Sequence, residues 1–411
     1  MVRIGRPAYN ARMDLEVLKR LRAPEGQALL AQAAALAPTE LTRLACIEAL
    51  RRQADPVLAR AALETVLLRA RAKTKFARAE HMFFEREALE QASGERVSRY
   101  RAARYHGAAA VADLCAGLGG DAIGLAGVAP VIVVDRDPLR LALVEANLAA
   151  YGAQADTRSL DLEANDPPDA AALWCDPGRR ARGRRTFTVA AYQPPLERVV
   201  GWQARTPALG VKLSPGVDLD ELRGYAAERE FISVDGELKE CVLWFGPLAT
   251  TGWRATALRS GAGPVHTLAG DRHDTQSSPA GLAPVGEVGS VLYEPDPAVI
   301  RAGQVRALAG QLGARQFDES IAYLTADIVS ATPLARAFEI DAVLPFQLKR
   351  LRQYLVAQGI GRVVVKKRGS AITPEELQRG LRLNGEGREA VVFLTRRAGE
   401  PLALVGRPLP G

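Results

Sequence analysis

Cysteine is scarce in this chain. Four thiols in 411 residues, Cys46, Cys115, Cys175 and Cys241, do not make a disulfide framework. None stands in a C-x-x-C pair and no histidine sits at ligand spacing from one, so no metal centre is expected. The cytoplasm is the compartment that such cysteine usage suggests. No stretch of about 18 uninterrupted apolar residues occurs, and no membrane span is expected. The opening residues, MVRIGRPAYNARMDLEVLKR, lack a continuous apolar segment and a small-residue cleavage site, which argues against a secretory signal. Lysine is rare too, with eight against 46 arginines among the 54 basic residues. The balance is nevertheless basic, +7 at pH 7 with a pI of about 9.4. A positive surplus favours polyanionic partners through counterion release. An Arg-rich, Ala-rich composition is also what a GC-rich genome produces, so charge alone leaves nucleic-acid binding undecided.

Residues 1–105 read as a helical domain. Asp55-Pro56 is a helix start, because Asp caps and Pro fits a first turn whose N–H groups have no partners. The run after it sets Leu58, Ala62, Thr65 and Arg69 along one row, with Val57, Ala61 and Leu68 on a second apolar side. From Ala108 short apolar runs alternate with helical segments: AAAVADLC, PVIVVD, DTRSLD, AALWCD and ALGVKLS. That alternation predicts a parallel sheet with crossover helices over residues 106–250. It closes with EFISVDGELKECVLWFG, two apolar runs about Asp235-Gly236, a hairpin signal. Residues 251–290, rich in Gly, Pro, Ser and Thr, read as a linker or exposed hairpin loop, and 291–411 as a small α/β domain.

The run Asp113-Leu114-Cys115-Ala116-Gly117-Leu118-Gly119-Gly120 follows a predicted strand and opens a helix. Its glycines permit a tight turn and close approach of the backbone to a ligand at the strand's carboxyl end. The next strand ends in Asp135, 22 residues beyond Asp113, where a carboxylate can accept hydrogen bonds from ribose hydroxyls. Asp161, ending the third strand, suits an adenine amino group. Gly117 to Ala122 also satisfies G-x-G-x-x-A, so a nicotinamide-dependent enzyme competes. An acid four residues before the first glycine, an Asp-Pro after the fourth strand and the terminal hairpin favour the other doubly wound variant. That variant is the Rossmann-like, seven-stranded class I methyltransferase sheet, with S-adenosylmethionine as cofactor.

The fourth strand ends in Asp176-Pro177-Gly178, at the sheet edge where this fold places the transferring methyl. Asp176 could accept a hydrogen bond from an amine or ring N–H and draw off its proton. Enzymes that methylate amino groups often carry an aromatic residue where this chain has Arg179. Carbon methylation of pyrimidines needs a thiolate. The segment after the fifth strand, Val211 to Gly216, has none, and Cys175 lies inside a strand, expected to point away. Arg179, Arg180, Arg182, Arg184 and Arg185 crowd five arginines into seven residues beside this corner. Their geometry suits phosphates, although a solvated loop is the bland alternative.

Across nearly its whole length the chain resembles bacterial methyltransferases with a C-terminal THUMP-like domain. The stretches that carry the resemblance are KFARAEHMFFEREALEQASGERVSRYRAARYHG, DLCAGLGGDAIGLA, DPGRR, VKLSPGV, LYEPDPAVIRAG, YLTAD and VVVKKRG. The core is also similar to trimethylguanosine synthases. In that wider group the segment before the first strand folds over the cofactor's methionine end, which would place Arg104 and Tyr105 there. THUMP domains bind tRNA, so the resemblance implies an RNA substrate, tRNA or rRNA. Lys366, Lys367 and Arg368 would then offer a docking patch. Three other readings stay open: a small-molecule methyltransferase, a non-catalytic protein binding S-adenosylmethionine and RNA, and the nicotinamide-dependent enzyme.

Overall fold

Proline and aspartate set the helix starts in the amino-terminal part. Asp14 caps α1 (Leu15–Arg22), its carboxylate accepting the Val17 N–H at 2.8 Å. Asp55 caps α4 (Pro56–Ala72), accepting the N–H groups of Val57 and Leu58. The structure, a computed structural model, describes residues 13–178, 180–181, 184–185, 188–260, 263–271 and 283–409. With α2 (Pro24–Ala35) and α3 (Arg43–Arg51), these helices bury Leu18, Leu21, Leu30, Leu58 and Leu63 in one core. Leu143 and Ala146 of α8 (Pro138–Ala150) join it, so the bundle packs on a crossover helix of the sheet domain. Val57, expected on an apolar side, is instead 46% exposed.

The described residues divide into two units, one running to Ala227 and including Leu243–Ala249, the other comprising Glu228–Val242 and the chain from Thr250. The first carries β1 (Val111–Leu114), β2 (Val131–Asp135), β3 (Asp156–Ser159), β4 (Ala172–Cys175) and β5 (Leu209–Leu213). All pair in parallel, with Asp113 opposite Val133 and Trp174. β1, β4 and β5 are buried throughout, the mark of a parallel sheet covered on both faces. β6 (Glu228–Val234) and β7 (Glu237–Phe245) meet at the expected turn, with Asp235 and Gly236 both at positive φ.

Two further strands, β8 (Trp253–Leu258) and β9 (Val265–Gly270), bring the sheet order to β9-β8-β6-β7-β5-β4-β1-β2-β3. Seven of the nine follow the Rossmann-like class I order. The stretch 251–290 is therefore not simply a linker. β8 runs parallel to β6, buries Ala255, Ala257 and Leu258, and pairs with β9 as a hairpin. Gly252, Ser260, Gly263, Gly286 and Gly289 sit outside these strands, while Gly270 ends β9.

In the second unit a seven-stranded sheet has the order β11-β12-β10-β13-β16-β15-β14. Its strands are β10 (Val291–Pro295), β11 (Arg315–Gln316), β12 (Leu324–Ala326), β13 (Ala335–Pro345), β14 (Ile360–Lys367), β15 (Arg388–Arg397) and β16 (Glu400–Pro408). Leu351, Leu355, Leu377 and Leu381 of two helices, Leu348–Ala357 and Pro374–Leu381, pack with Val392 and Val405 in one core. Phe317, Tyr323, Phe338 and Phe393 form another.

Candidate active site

The chain leaves β1 through a left-handed turn. Cys115, Gly117 and Gly119 have φ of 64°, 61° and 85°, and α7 (Gly120–Leu125) begins at once. A side chain at Gly119 would start 3.1 Å from Val144 on α8, so only glycine lets loop and helix meet. Asn147, also on α8, is fully buried. It accepts the Phe83 N–H at 2.7 Å and donates to the carbonyls of Phe83 and Leu118. One side chain thus fastens the glycine loop and the pre-sheet segment to the same helix.

A cavity of about 260 Å³ opens beside this loop. Cys115, Gly117, Gly120, Asp135, Asp161, Asp176 and Pro177, candidates from the sequence, line it, whereas the candidates Asp113 and Gly119 are not among its lining residues. Asp135, 4% exposed, accepts the Gly117 N–H at 3.1 Å and the Asp137 N–H at 3.0 Å, with Arg140 3.9 Å away. Burial still holds its carboxyl above the usual range. Asp161 is exposed and its Oδ1 accepts the Glu163 N–H. Asp113 is fully buried, and neither of its oxygens has a hydrogen-bond partner among the described residues. Burial first, then the charges of Asp121 and Asp176, push its carboxyl well above the ordinary value, against the pull of Arg101.

Arg104 is not brought to the cavity. Its guanidinium donates to the Leu248 carbonyl and lies 4.5 Å from the Trp244 ring centre. Tyr105 is buried and bonds the Leu173 carbonyl. The pre-sheet segment meets the cavity earlier in the chain, through Glu87 and Gln91 of α5 (Arg86–Gln91) and Ser93 between it and α6 (Glu95–Ala102). Arg101 of α6, 2% exposed, pairs with Asp121 and lies over Trp174.

At the reaction corner the decisive residue is one that the motif reading passes over. Lys212 on β5, 4% exposed, donates to Asp176 Oδ2 at 2.5 Å. No donor reaches Asp176 Oδ1 among the described residues. A lysine inside the apolar run ALGVKLS is the available signal, since a buried ammonium requires a partner. Cys175 is fully buried, and burial together with the neighbouring Cys115 thiol pushes its own thiol up, away from a nucleophilic thiolate. Gly178 and Gln193 exchange backbone hydrogen bonds of 2.8 and 2.9 Å, closing at the cavity's edge the loop that bears the arginine run. Within it, Arg180 pairs with Arg185 and Ala181 with Arg184 in a short antiparallel ladder. Arg179 and Arg182 lie outside the described residues.

The carboxy-terminal basic residues do not form one patch. Lys366 pairs with Glu294 and lies over Phe338. Arg368 bonds the Ala322 carbonyl and lies over Tyr323. Lys367 is exposed within electrostatic range of Glu376 on the helical side, because neighbours on a strand face opposite ways.

The cavity's chemistry fits S-adenosylmethionine. Six carboxylates, from Glu87, Asp121, Asp135, Asp161, Glu163 and Asp176, line it against two arginines. That excess suits a ligand with a sulfonium, an ammonium and ribose hydroxyls, and opposes a dinucleotide's pyrophosphate. Among the described residues no cluster of metal ligands occurs, and no helix is long and apolar enough to cross a membrane.

Residues 335–408 match the THUMP domain-like family, and residues 14–72 a domain of unknown function. The chain is 37% identical over 348 residues to an uncharacterized S-adenosylmethionine-dependent methyltransferase of Mycobacterium tuberculosis, in strains CDC 1551 / Oshkosh and H37Rv alike. The match covers 82% of this chain and 93% of the relative. A crystal structure of a candidate methyltransferase from Porphyromonas gingivalis W83 superposes with a TM-score of 0.77. It is 21% identical and covers 97% of this chain and 100% of that one, a likeness of fold.

Proposed function

Because the chain belongs to the S-adenosylmethionine-dependent methyltransferase family, we propose that it methylates a base nitrogen in a structured RNA, tRNA or rRNA. The observation that carries this reading is the corner where Asp176, held by Lys212, meets the loop with five arginines in its sequence. The THUMP domain-like match and the net charge of +7 support RNA as the substrate. When bound, the cofactor supplies an electrophilic methyl group on sulfur.

The chain's own residues do the rest. Asp135 would hold the ribose hydroxyls, Asp161 the adenine amino group, and the Cys115–Gly120 loop the methionine end. Lys212 fixes one oxygen of Asp176, so the other is presented in a set direction to an incoming N–H. Asp176 Oδ1 would accept that hydrogen bond, orient the nitrogen lone pair into the cavity and take up the N–H proton that the nitrogen loses on methylation. Burial pushes the Cys175 thiol up, away from a thiolate that could add to a pyrimidine ring, which favours nitrogen over carbon as the target.

The test is transfer of label from methyl-tritiated S-adenosylmethionine into total RNA and, separately, into a low-molecular-mass cell extract. Ribonuclease-sensitive label in RNA is expected. Label confined to the small-molecule fraction would replace this reading with a small-molecule methyltransferase.

A further inference from the structure

A second cavity, of about 270 Å³, lies within the carboxy-terminal unit, beside the Asp235-Gly236 turn and the ends of β10, β13 and β14. Four cations line it: Arg259, Arg336, Lys366 and Arg368. Two acids share it, and both are already engaged. Glu294 pairs with Lys366, and Asp296, 8% exposed, caps the short helix after it by accepting the Ala298 N–H at 2.9 Å.

Four cations thus face two carboxylates, and none of the three guanidinium groups has a carboxylate within ion-pair distance among the described residues. Arg259 donates to the Pro333 carbonyl at 3.1 Å, and Arg368 to the Ala322 carbonyl at 3.2 Å. Both acceptors are neutral. Asp235 is within electrostatic range of Arg259, but its carboxylate is bonded to the N–H and hydroxyl of Ser260. Arg336 stands opposite Glu294 on the ladder, yet no carboxylate lies within ion-pair distance of it among the described residues. Its Nη2 lies 3.1 Å from where a Cβ on Gly236 would be, so the hairpin turn brings backbone close to the guanidinium. The carbonyl bonds of Arg259 and Arg368, with Tyr323 under the Arg368 guanidinium at 4.8 Å, hold two of the forks in place. A set of fixed forks in a concave site suits the tetrahedral, multiply accepting oxygens of a phosphate.

We propose that this pocket binds a backbone phosphate of the RNA substrate, an inference that rests on the RNA reading above. Arg336 and Arg259 are the main ligands, with Arg368 third. Lys366, neutralised by Glu294, positions the pocket wall. Lys367, on the other face, takes no part. A phosphate held here would fix the register of the RNA without reading its sequence.

The experiment compares the full-length protein with Arg259→Gln/Arg336→Gln and with Arg336→Lys, by gel-shift titration of total tRNA at several salt concentrations. Calorimetry with S-adenosylmethionine serves as the fold control, and its affinity should be the same in all three. The double variant should bind RNA more weakly, with the salt slope flattened by about one unit, or slightly less, for each phosphate no longer neutralised. Arg336→Lys, which keeps the charge, should retain the wild-type slope. Wild-type RNA binding with an unchanged slope in the double variant overturns the pocket and leaves the RNA reading intact. Absence of wild-type RNA binding at low salt overturns the RNA reading instead. A thermal-shift series with inorganic phosphate then decides the pocket: stabilisation of wild type but not of the double variant keeps it as a site for free phosphate, and no stabilisation of either removes it.

Discussion

Burial without a hydrogen-bond partner disfavours the ionised form of Asp113 in the cofactor-free protein, and that has a measurable cost. Its folded carboxyl titrates above the unfolded value near 3.9 because burial and the Asp121 and Asp176 charges disfavour ionisation. Such a group contributes stability that is complete below the unfolded pKa and is lost as pH rises through the folded one. Asp113→Asn should therefore melt higher than wild type at pH 7 without cofactor, and the gap should close towards pH 4, as followed by scanning calorimetry. Equal melting at pH 7 would contradict the assignment. Burial raises Asp135 as well, but both its oxygens already accept backbone N–H groups. Asp135→Ala should weaken S-adenosylmethionine binding at least tenfold, as each charge-assisted hydrogen bond removed is worth about 1.5–3 kcal/mol. Isothermal titration showing unchanged affinity would remove Asp135 from the site. At the reaction corner, Asp176→Ala should lower turnover by about 100-fold or more while leaving cofactor affinity nearly unchanged. Lys212→Met should also lower turnover, because nothing then orients the Asp176 carboxylate. Near-normal rates in both variants would show that Asp176 only lines the site.

Helices α6 and α7 touch more closely than most pairs. A Cβ on Gly124 would lie 2.2 Å from Ser98 Oγ and 2.7 Å from the Ser98 backbone. Gly124→Ala must therefore push α6 outward, at a cost of about 1–3 kcal/mol for overpacking. Ser93, just ahead of α6, lines the cavity, so cofactor affinity should fall together with the melting temperature. A lower melting temperature with unaltered affinity would mean that α6 does not set the cavity's wall. This close approach marks the boundary of what the sequence makes legible. Strand ends and the glycine loop can be read, because period, turn residues and the Asp113–Asp135 interval are local properties. Asn147 and Lys212 cannot be placed, since each acts across 29 or more residues through packing, and Ser93 reaches the cavity only once α5 and α6 are folded. Arg104 falls away from its expected place for the same reason: nothing near it in sequence announces that Trp244 and the Leu248 carbonyl will receive it. The β8–β9 hairpin is masked by Gly-, Ser- and Pro-rich flanks, although its strands bury alanine and leucine like their neighbours. The basic residues 366–368 read as one cluster in sequence, and strand alternation separates Lys366 from Lys367.

For the whole molecule, family membership accounts for the methyl donor, and the question of substrate falls on charge and architecture. The surplus of seven positive charges, the THUMP domain-like segment and the loop closed by Gly178 and Gln193 at the cavity's edge support the proposed reading, in which a polyanion is held near the methyl group. The proposed acceptor, a base nitrogen turned out towards Asp176, leaves a chemical trace in the cell. Nucleoside mass spectrometry of total tRNA and rRNA from a deletion strain and its parent reads that trace directly. The expected result is loss of one N-methylated nucleoside in the deletion strain, restored by the wild-type gene and not by the gene encoding Asp176→Ala. Identical nucleoside profiles in the two strains would contradict the account.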